Sequence, residues 1–292
     1  MAKSAVARIA AQPALDEIAN PLSQAVVAAY RNAGGVGTAL KNALHGVWLH
    51  HPLHPALTDI PIGAWATTVA LDVKAASSRD RSYQRAADFA LAVGLAGAVG
   101  SAVTGLTDWS ETDGRAKRIG LLHGLLNVTA TALMATAYVL RRRQERAAGE
   151  VCTLAGVAVA VGAAYLGGDL VYGQRIGVTH AVVHEPEEFT AVLASDALAE
   201  GRKRRAKSDD LDLLLVRQHG RVCALAHPCA HLGGPLSEGT LKDGSIVCPW
   251  HGSEFRLTDG SVVNGPSTHP QPCFRVRERA NQIEVGPPGD LS

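Results

Sequence analysis

The spacing of hydrophobic and polar positions changes character about two thirds of the way along this chain. The N-terminal part contains four long apolar runs, each close to the about 20 residues that a helix needs to cross a bilayer. These runs cover residues 58–75, 87–107, 119–140 and 151–172. From residue 189 onward, short apolar segments are separated by turn sequences such as Asp243-Gly244, a pattern typical of β-strands. We therefore expect a multi-domain α plus all-β protein, in which a four-helix transmembrane bundle precedes a small antiparallel β domain.

The β-strands and the domain borders follow from the same pattern. Seven segments carry the strand signal; they are residues 189–193, 211–218, 222–226, 245–248, 254–257, 274–278 and 282–285. Residues 14–33 place apolar side chains at helical spacing, which predicts one amphipathic helix that ends at the glycine-rich stretch 34–37. The expected organisation is an amphipathic segment at 1–45, a transmembrane domain at 46–173, a linker at 174–186, the β domain at 187–287 and a tail at 288–292.

Composition supports a membrane location for the helical part. Hydrophobic residues make up 47% of the chain but aromatic residues only 4%, so many of the apolar side chains are small. Gly97, Ser101 and Gly105 recur every fourth residue, a spacing that lets membrane helices approach closely. Residues 1–45 lack the pattern of a secretory signal peptide. We expect a multi-pass protein of the cell membrane, with the lipid bilayer as a partner; a soluble alanine-rich bundle is the alternative.

Four potential metal ligands stand in two pairs near the C-terminus. The first pair is Cys229-Ala-His231, and the second, after sixteen further residues, is Cys248-Pro-Trp-His251. Two thiolates on one iron and two imidazoles on the other are what a Rieske-type [2Fe–2S] cluster requires. A structural zinc ion bound by the same four side chains is the alternative.

The sequences around these ligands resemble the two cluster-binding loops of the Rieske family. The similar stretches are residues 229–236, Cys-Ala-His-Leu-Gly-Gly-Pro-Leu, and residues 248–255, Cys-Pro-Trp-His-Gly-Ser-Glu-Phe. The resemblance covers about residues 187–287. It implies a small antiparallel β Rieske fold and one [2Fe–2S] cluster per chain, held by the two cysteines and two histidines.

Two departures from the family pattern refine this expectation. Gly234 and Trp250 stand where members from respiratory complexes carry a disulfide, so the resemblance is closer to ferredoxin-like members. Ser253 is kept where high-potential members donate a hydroxyl hydrogen bond to a cluster sulfur, whereas their tyrosine is Phe255 here. Hydrogen bonds to the sulfurs raise the potential, so with one of two donors we expect a midpoint potential of roughly −150 to +150 mV.

The membrane half resembles an uncharacterised bacterial family of four-helix membrane domains over about residues 45–173. The stretches that carry the resemblance are 49–55, Leu-His-His-Pro-Leu-His-Pro, and 58–62, Thr-Asp-Ile-Pro-Ile. The family brings no settled activity, so any role for this half has to come from its own residues.

Two histidines of the membrane half are expected at one membrane face. His54 precedes the first predicted helix and His123 lies early in the third, and these helices run in the same direction. Such a pair could ligate a haem b, or a metal ion together with Asp59 and Asp108. The alternative is a structural role, in which the histidines form hydrogen bonds at the interface.

We expect the chain to be a membrane-anchored one-electron carrier that exchanges electrons with redox donor and acceptor proteins or with quinone. Rieske oxygenases carry a large catalytic domain after the cluster domain, whereas 41 residues follow His251 and contain one histidine, His269. An oxygenase catalytic subunit is therefore not expected. The alternatives are a haem-bearing or quinol-reacting oxidoreductase subunit, and a non-catalytic redox sensor.

Charged residues exclude one partner class and leave the sidedness open. The basic run at 202–207 is followed by acidic residues at 209, 210 and 212 and the net charge is +1, so we expect a solvated loop and no nucleic-acid partner. The connections at 74–85 and 141–146 contain eight basic residues, against five at the opposite helix ends. This excess favours a cytoplasmic location for the two connections and places the Rieske domain outside. Cluster assembly in the cytoplasm favours the reverse orientation.

Overall fold

The computed structural model describes residues 5–78, 80–181, 186–208 and 211–288. The chain forms two compact units. A helical unit contains Met1–Gly37 and Pro52–Ile176, and a β-rich unit contains Thr38–His51 and Gly177–Ser292. Residues 38–51 therefore belong with the β domain, although they precede the membrane domain in sequence.

Seven α-helices are present in the described residues. They are α1 Ala5–Ala10, α2 Asp16–Asn32, α3 Gly34–His45, α4 Leu53–Ser78, α5 Arg81–Ser110, α6 Gly114–Arg142 and α7 Arg146–Gly168. A π-helical turn, Asp169–Gly173, continues α7, and a 3-10 turn, Val47–Leu49, follows α3. The four apolar runs all lie in helices, from α4 to α7.

Three of the described helical segments are long and apolar enough to cross a membrane, not the expected four. They are Arg81–Ser110, Gly114–Arg142 and Arg146–Gly173. The remaining helix, α4, has 26 residues but carries Asp59, Asp72 and Lys74, and each charge lowers the gain from placing the segment in hydrocarbon. The helical architecture is confirmed, whereas the count of four spans is corrected to three by composition.

The predicted stripe of small residues faces α4. A Cβ atom added at Gly97 would lie 2.5 Å from Ile60 Cγ2, and one added at Gly105 would lie 2.7 Å from His54 Cε1. Ser101, between them, is buried. The absence of larger side chains therefore sets how closely α4 and α5 pack.

A largely buried network of charged side chains joins helices α4, α5, α6 and α7. The Arg141 guanidinium, at the end of α6, donates to Asp72 Oδ2 of α4 at 2.5 Å and to Asp88 Oδ1 of α5 at 3.1 Å. Arg146 of α7 donates to the same two carboxylates, at 2.8 Å and 3.1 Å. The side chain of Arg141 is fully buried. Basic residues that the sequence presented as loop charges thus link all four helices.

The N-terminal region departs from the expected single amphipathic helix. Helix α2 continues through Pro21, and a second helix, α3, starts directly after it at Gly34. Gly34 has φ +58°, a left-handed conformation that glycine adopts at little cost. The glycine-rich stretch therefore redirects the chain into another helix instead of ending the helical region.

The β-rich unit contains two antiparallel sheets. The strands are β1 Thr190–Ala194, β2 Lys203–Ser208, β3 Leu211–Gln218, β4 Arg221–Ala226, β5 Thr240–Lys242, β6 Ser245–Val247, β7 Glu254–Arg256, β8 Val262–Asn264, β9 Cys273–Arg279 and β10 Gln282–Pro288. One sheet has the order β1-β10-β9-β4-β3-β2, and the other β5-β6-β7-β8. One hydrophobic cluster, which includes Leu214 and Phe255, contains residues of both sheets.

All seven predicted strand segments overlap strands, but three short strands were not expected. The basic run is one of them: β2 pairs with β3 in unbroken register from Lys203↔Val216 to Ser208↔Leu211, so the prediction of a loop there is wrong. Lys203, Arg205 and Lys207 alternate with other residues, as side chains on one face of a strand do. This edge strand was not predicted because it is highly charged and the prediction relied on apolar residues.

Candidate metal centre

The two cysteine–histidine pairs lie on two tight loops of the β-rich unit. The first loop follows β4, where Gly233 N donates to Cys229 O at 2.8 Å. The second loop connects β6 and β7, where Gly252 N donates to Cys248 O at 3.1 Å. Gly233 and Gly252 have φ of +77° and +75°, which glycine adopts without strain. Local backbone geometry therefore explains why each loop needs glycine after its cysteine–histidine pair.

The two thiols are in contact and are surrounded by backbone donors. The side chains of Cys229 and Cys248 share a hydrogen bond, which raises the pKa of Cys229 and lowers the pKa of Cys248 to about 6. Backbone N–H groups of Trp250 and His251 also lower the pKa of Cys248. Both side chains are buried. The site therefore stabilises a thiolate, the form of cysteine that binds metals.

The two imidazoles form a second pair. The His231 and His251 ring centroids lie 5.1 Å apart, with an interplanar angle of 86°. Burial, followed by the neighbouring His251, lowers the pKa of His231 well below its ordinary value. The Nδ1 atom of His231 is buried and has no hydrogen-bond partner within the described part of the chain. A neutral imidazole with an unused ring nitrogen is suited to be a metal ligand.

The four donors are divided into a sulfur pair and a nitrogen pair. In the described ranges, no group of three or more His, Cys, Asp or Glu side chains could hold one metal ion. The donors form a sulfur pair and a nitrogen pair, which is the division that a Rieske-type cluster requires. Gly234 adds a spatial constraint, because a Cβ atom there would lie 2.8 Å from Cys248 Sγ.

A third segment, residues 265–268, lies against the second loop. All four of these residues are buried. Ser267 N donates to Ser253 Oγ at 3.0 Å, and Ser253 itself is fully buried. Phe255 is fully buried as well, so the position of the family tyrosine holds a ring without a hydroxyl.

A buried glutamine holds the first loop in place. The Gln271 side chain accepts a hydrogen bond from Ala230 N at 2.8 Å and donates to Ala226 O and Pro228 O, both at 2.7 Å. Sequence reasoning missed Gln271 because it lies some forty residues beyond the loop that it supports. A fully buried amide is costly unless it is hydrogen-bonded, but burial cannot be read from one glutamine in a polar stretch.

Residues from the start of the β-rich unit also border the site. Asn42 Oδ1 accepts a hydrogen bond from Gly265 N at 2.9 Å, and His45 is buried. In the segment between the π-helical turn and β1, His180 N donates to Ala230 O at 3.0 Å. The sequence offered no signal for these contacts, since Asn42 and Gly265 are separated by 223 positions.

The histidines of the membrane domain are close together, as the helix directions suggested. The rings of His54 and His123 have centroids 6.4 Å apart. His54 Nδ1 lies 2.9 Å from Ser101 O, and His123 Nδ1 lies 2.8 Å from Ala163 O. The described residues form no three-ligand ion site with Asp59 or Asp108, and these contacts do not support a haem. Hydrogen bonds to backbone carbonyls agree with the structural alternative.

Comparison with known proteins gives matches for both halves of the chain. Residues 50–180 match the family described as "Predicted membrane protein (DUF2231)", and residues 188–275 match "Rieske [2Fe-2S] domain". Ferredoxin CarAc of Metapseudomonas resinovorans is 32% identical over 95 residues, which are 32% of this chain and 89% of the ferredoxin.

Other similar proteins share only part of their length with this chain. Apoptosis-inducing factor 3 of Mus musculus is 32% identical over 88 residues, which are 30% of this chain and 14% of that protein. The chain therefore spans about one seventh of that relative. Among solved structures, the ferredoxin of carbazole 1,9a-dioxygenase from Nocardioides aromaticivorans IC177 is 24% identical, with a TM-score of 0.33, over 35% of this chain and 99% of the ferredoxin.

Proposed function

Because the chain belongs to the Rieske [2Fe–2S] family and carries a DUF2231 domain before its Rieske domain, we propose that it is a membrane-anchored one-electron carrier. The observation that carries the proposal is the pairing of donors in the β-rich unit. The Cys229 and Cys248 side chains share a hydrogen bond, and the His231 and His251 rings are adjacent. The cysteines would hold one iron and the histidines the other, and the bound cluster would take up and release one electron.

The four proposed ligands differ in burial, which gives the cysteines and the histidines different roles in electron transfer. The cysteines are buried and receive backbone N–H groups that stabilise their negative charge. The histidines are half-buried, so their side of the site is the shorter path for an electron to reach a partner. Trp250, beside His251, is 57% exposed. An exposed tryptophan is a favoured anchor at protein interfaces, so we assign this face to a redox partner protein.

The similarity to a ferredoxin supports a carrier role for the Rieske domain. The match covers 89% of a ferredoxin but only 23% of the vanillate O-demethylase oxygenase subunit of Pseudomonas sp. (strain ATCC 19151). We therefore propose electron transfer to or from a redox partner, either a protein or a quinone, as the activity of this chain.

The helical unit would act as a multi-pass membrane anchor. Its three apolar helices expose large hydrophobic side chains, including Phe89 at 73% and Val128 at 65%. Exposed apolar area on this scale is unfavourable in water and favourable in lipid. Resistance to extraction from membranes by alkaline carbonate, with release by detergent, is the expected behaviour; release by carbonate alone would contradict an integral anchor.

The carrier role is tested by a redox titration of the detergent-purified full chain. We expect one electron per chain, with visible bleaching on reduction that is lost in Cys248→Ser and His251→Ala. Cys223→Ser is the matched control, because Cys223 lies outside the four ligand positions, and it should titrate like the wild type. A stoichiometry other than one electron, or equal bleaching in the ligand variants, would contradict the proposal.

The same titration examines the alternative in which the bundle itself carries electrons. That alternative would use the adjacent rings of His54 and His123, although both Nδ1 atoms already contact backbone carbonyls. A second redox centre with a sharp haem band, lost in His123→Ala, would favour it. Bleaching of the cluster alone would leave the helices as an anchor.

A further inference from the structure

We infer that Asn42 is a positioning residue for the cluster: it fixes the 265–268 segment, whose Ser267 N–H orients the Ser253 hydroxyl. The inference rests on the proposed function, because it concerns the potential of the proposed cluster. It assigns a role to a residue that precedes the membrane domain, far outside the stretch that matches the Rieske family.

Asn42 uses both ends of its amide on adjacent residues of the β-rich unit. Its Oδ1 atom accepts the N–H of Gly265 at 2.9 Å, and its Nδ2 atom donates to Asn264 Oδ1 at 2.9 Å. An amide offers one acceptor and two donors at a fixed separation. An alanine would lose both hydrogen bonds and leave the half-buried amide of Asn264 with one partner fewer.

The chain around Asn42 packs tightly against the same place. A Cβ atom at Gly265 would lie 3.1 Å from Val47 Cγ2 and 3.4 Å from His45 Cδ2. Gly265 and His45 are both buried. Residues 42–47 therefore cover the start of the 265–268 segment. Because the contact is closely packed and buried, a change in it should shift that segment.

Two routes lead from Asn42 to the position of Ser253. Along the backbone, Ser267 lies two residues after Gly265, and its N–H donates to Ser253 Oγ at 3.0 Å. Through side chains, Asn264 Nδ2 donates to Glu254 Oε2 at 2.7 Å, and Glu254 is the next residue after Ser253. Both sets of contacts therefore connect Asn42 to the region of Ser253.

The orientation of the Ser253 hydroxyl follows from its hydrogen-bond capacity. A hydroxyl has one hydrogen and two lone pairs. Since Ser267 N–H occupies a lone pair, the hydrogen must point to a different neighbour, which would be a cluster sulfur in the loaded protein. Loss of the Asn42 contacts would loosen Ser267 and weaken that donation, and weaker donation to the sulfur disfavours the reduced state.

The test is a double-mutant cycle on the full-length protein, with the midpoint potential as the readout. Asn42→Ala should make reduction roughly threefold to tenfold less favourable, where tenfold corresponds to 59 mV for one electron. In the Ser253→Ala background the same substitution should produce no further shift. Asn32→Ala, an exposed asparagine at the end of α2, is the control and should leave the potential unchanged. An unchanged potential in Asn42→Ala, or a shift that persists without the Ser253 hydroxyl, would overturn the inference.

Two further measurements keep the inference testable if Asn42→Ala binds little cluster. Gly265→Ala would force a Cβ atom against Val47 and His45 without changing Asn42, and it should lower the potential only when Ser253 is present. Hydrogen exchange of residues 262–268 should be faster in Asn42→Ala than in Asn32→Ala, and equal rates would overturn the inference. If the wild type carries no [2Fe–2S] cluster, the proposed function fails instead, whereas altered exchange would still report the Asn42 contact.

Discussion

The side chain of Gln271, just before β9, holds the loop that contains Cys229 and His231, because Ala230 N donates to Gln271 Oε1 at 2.8 Å. The glutamine is fully buried, so each hydrogen bond that it makes replaces one to water. A loop that carries two of the proposed ligands would have to keep its position when the cluster takes up an electron.

Gln271→Leu should destabilise the Rieske domain. The substitution keeps most of the volume but leaves three backbone groups without their partner, and buried unsatisfied groups cost about 1–3 kcal/mol each. We expect a loss of roughly 2–4 kcal/mol after local relaxation and a lower temperature for thermal loss of the cluster absorbance. Gln24→Leu, at an exposed position of α2, should leave that temperature unchanged. An equally stable Gln271→Leu protein would show that the loop is held by other contacts.

Removing and adding a hydroxyl group near the proposed cluster should shift its potential in opposite directions. Ser253→Ala removes a donor and should make reduction about tenfold less favourable, or 59 mV for one electron. Phe255→Tyr adds a hydroxyl where high-potential family members have one and should shift the potential upward. The wild type should lie within roughly −150 to +150 mV, as measured by voltammetry. Shifts of the same sign in both variants would contradict this account.

Glu254 should give the domain a specific acid dependence. Burial raises the pKa of Glu254, but hydrogen bonds from Ser245 and Asn264 together with Lys242 outweigh it, so the pKa lies below 4.5. A carboxyl whose pKa is lower in the folded state stabilises above the unfolded value and loses this contribution as pH falls through the folded value.

The comparison of wild type with Glu254→Gln tests this sign. The difference in free energy of unfolding should be constant above about pH 5 and shrink below pH 4.5, because the wild-type carboxyl becomes protonated. Chemical unfolding followed by circular dichroism at several pH values measures it. A difference that grows with acidity would mean that the pKa of Glu254 is raised instead.

The charge network of the helical unit predicts a position-specific effect of arginine substitutions. Arg141→Met removes the cation whose guanidinium contacts Asp72 and Asp88 and leaves those carboxylates with Arg146 alone. Breaking one side of a buried pair costs about 3–5 kcal/mol. The neighbouring Arg142 is exposed, and Arg142→Met should have little effect. Thermal unfolding in detergent measures both, and similar unfolding temperatures for the two variants would contradict a stabilising role.

The sequence predicted the parts of the site that are local in the chain. Cys229 and His231 are two residues apart, and Cys248 and His251 three, so the proposed ligand pairs could be identified directly from the sequence. Asn42 and Gln271 could not be read, because each acts on a loop that is distant in sequence and nothing in one sequence shows that contact. The strand β2 was missed for a different reason: its basic side chains masked an edge strand whose stability comes from pairing with β3.

The membrane domain shows the same limit of sequence reasoning. Apolar runs located all four long helices, but the charges of α4 had a meaning that the pattern did not contain. Asp72 makes α4 less apolar, and in the fold its carboxylate is a partner of Arg141. Pairing of charges depends on helix packing, which hydropathy does not describe.

Analysis of iron and acid-labile sulfide, combined with nitrogen hyperfine spectroscopy of the reduced full-length protein, tests the central claim most directly. We predict two iron and two sulfide per chain, as a [2Fe–2S] cluster requires, and coupling to two imidazole nitrogens. His231→Ala and His251→Ala should each remove the nitrogen signal of the native site. Zinc without sulfide, or a cluster without nitrogen coupling, would contradict the assignment of Cys229, His231, Cys248 and His251 as its ligands.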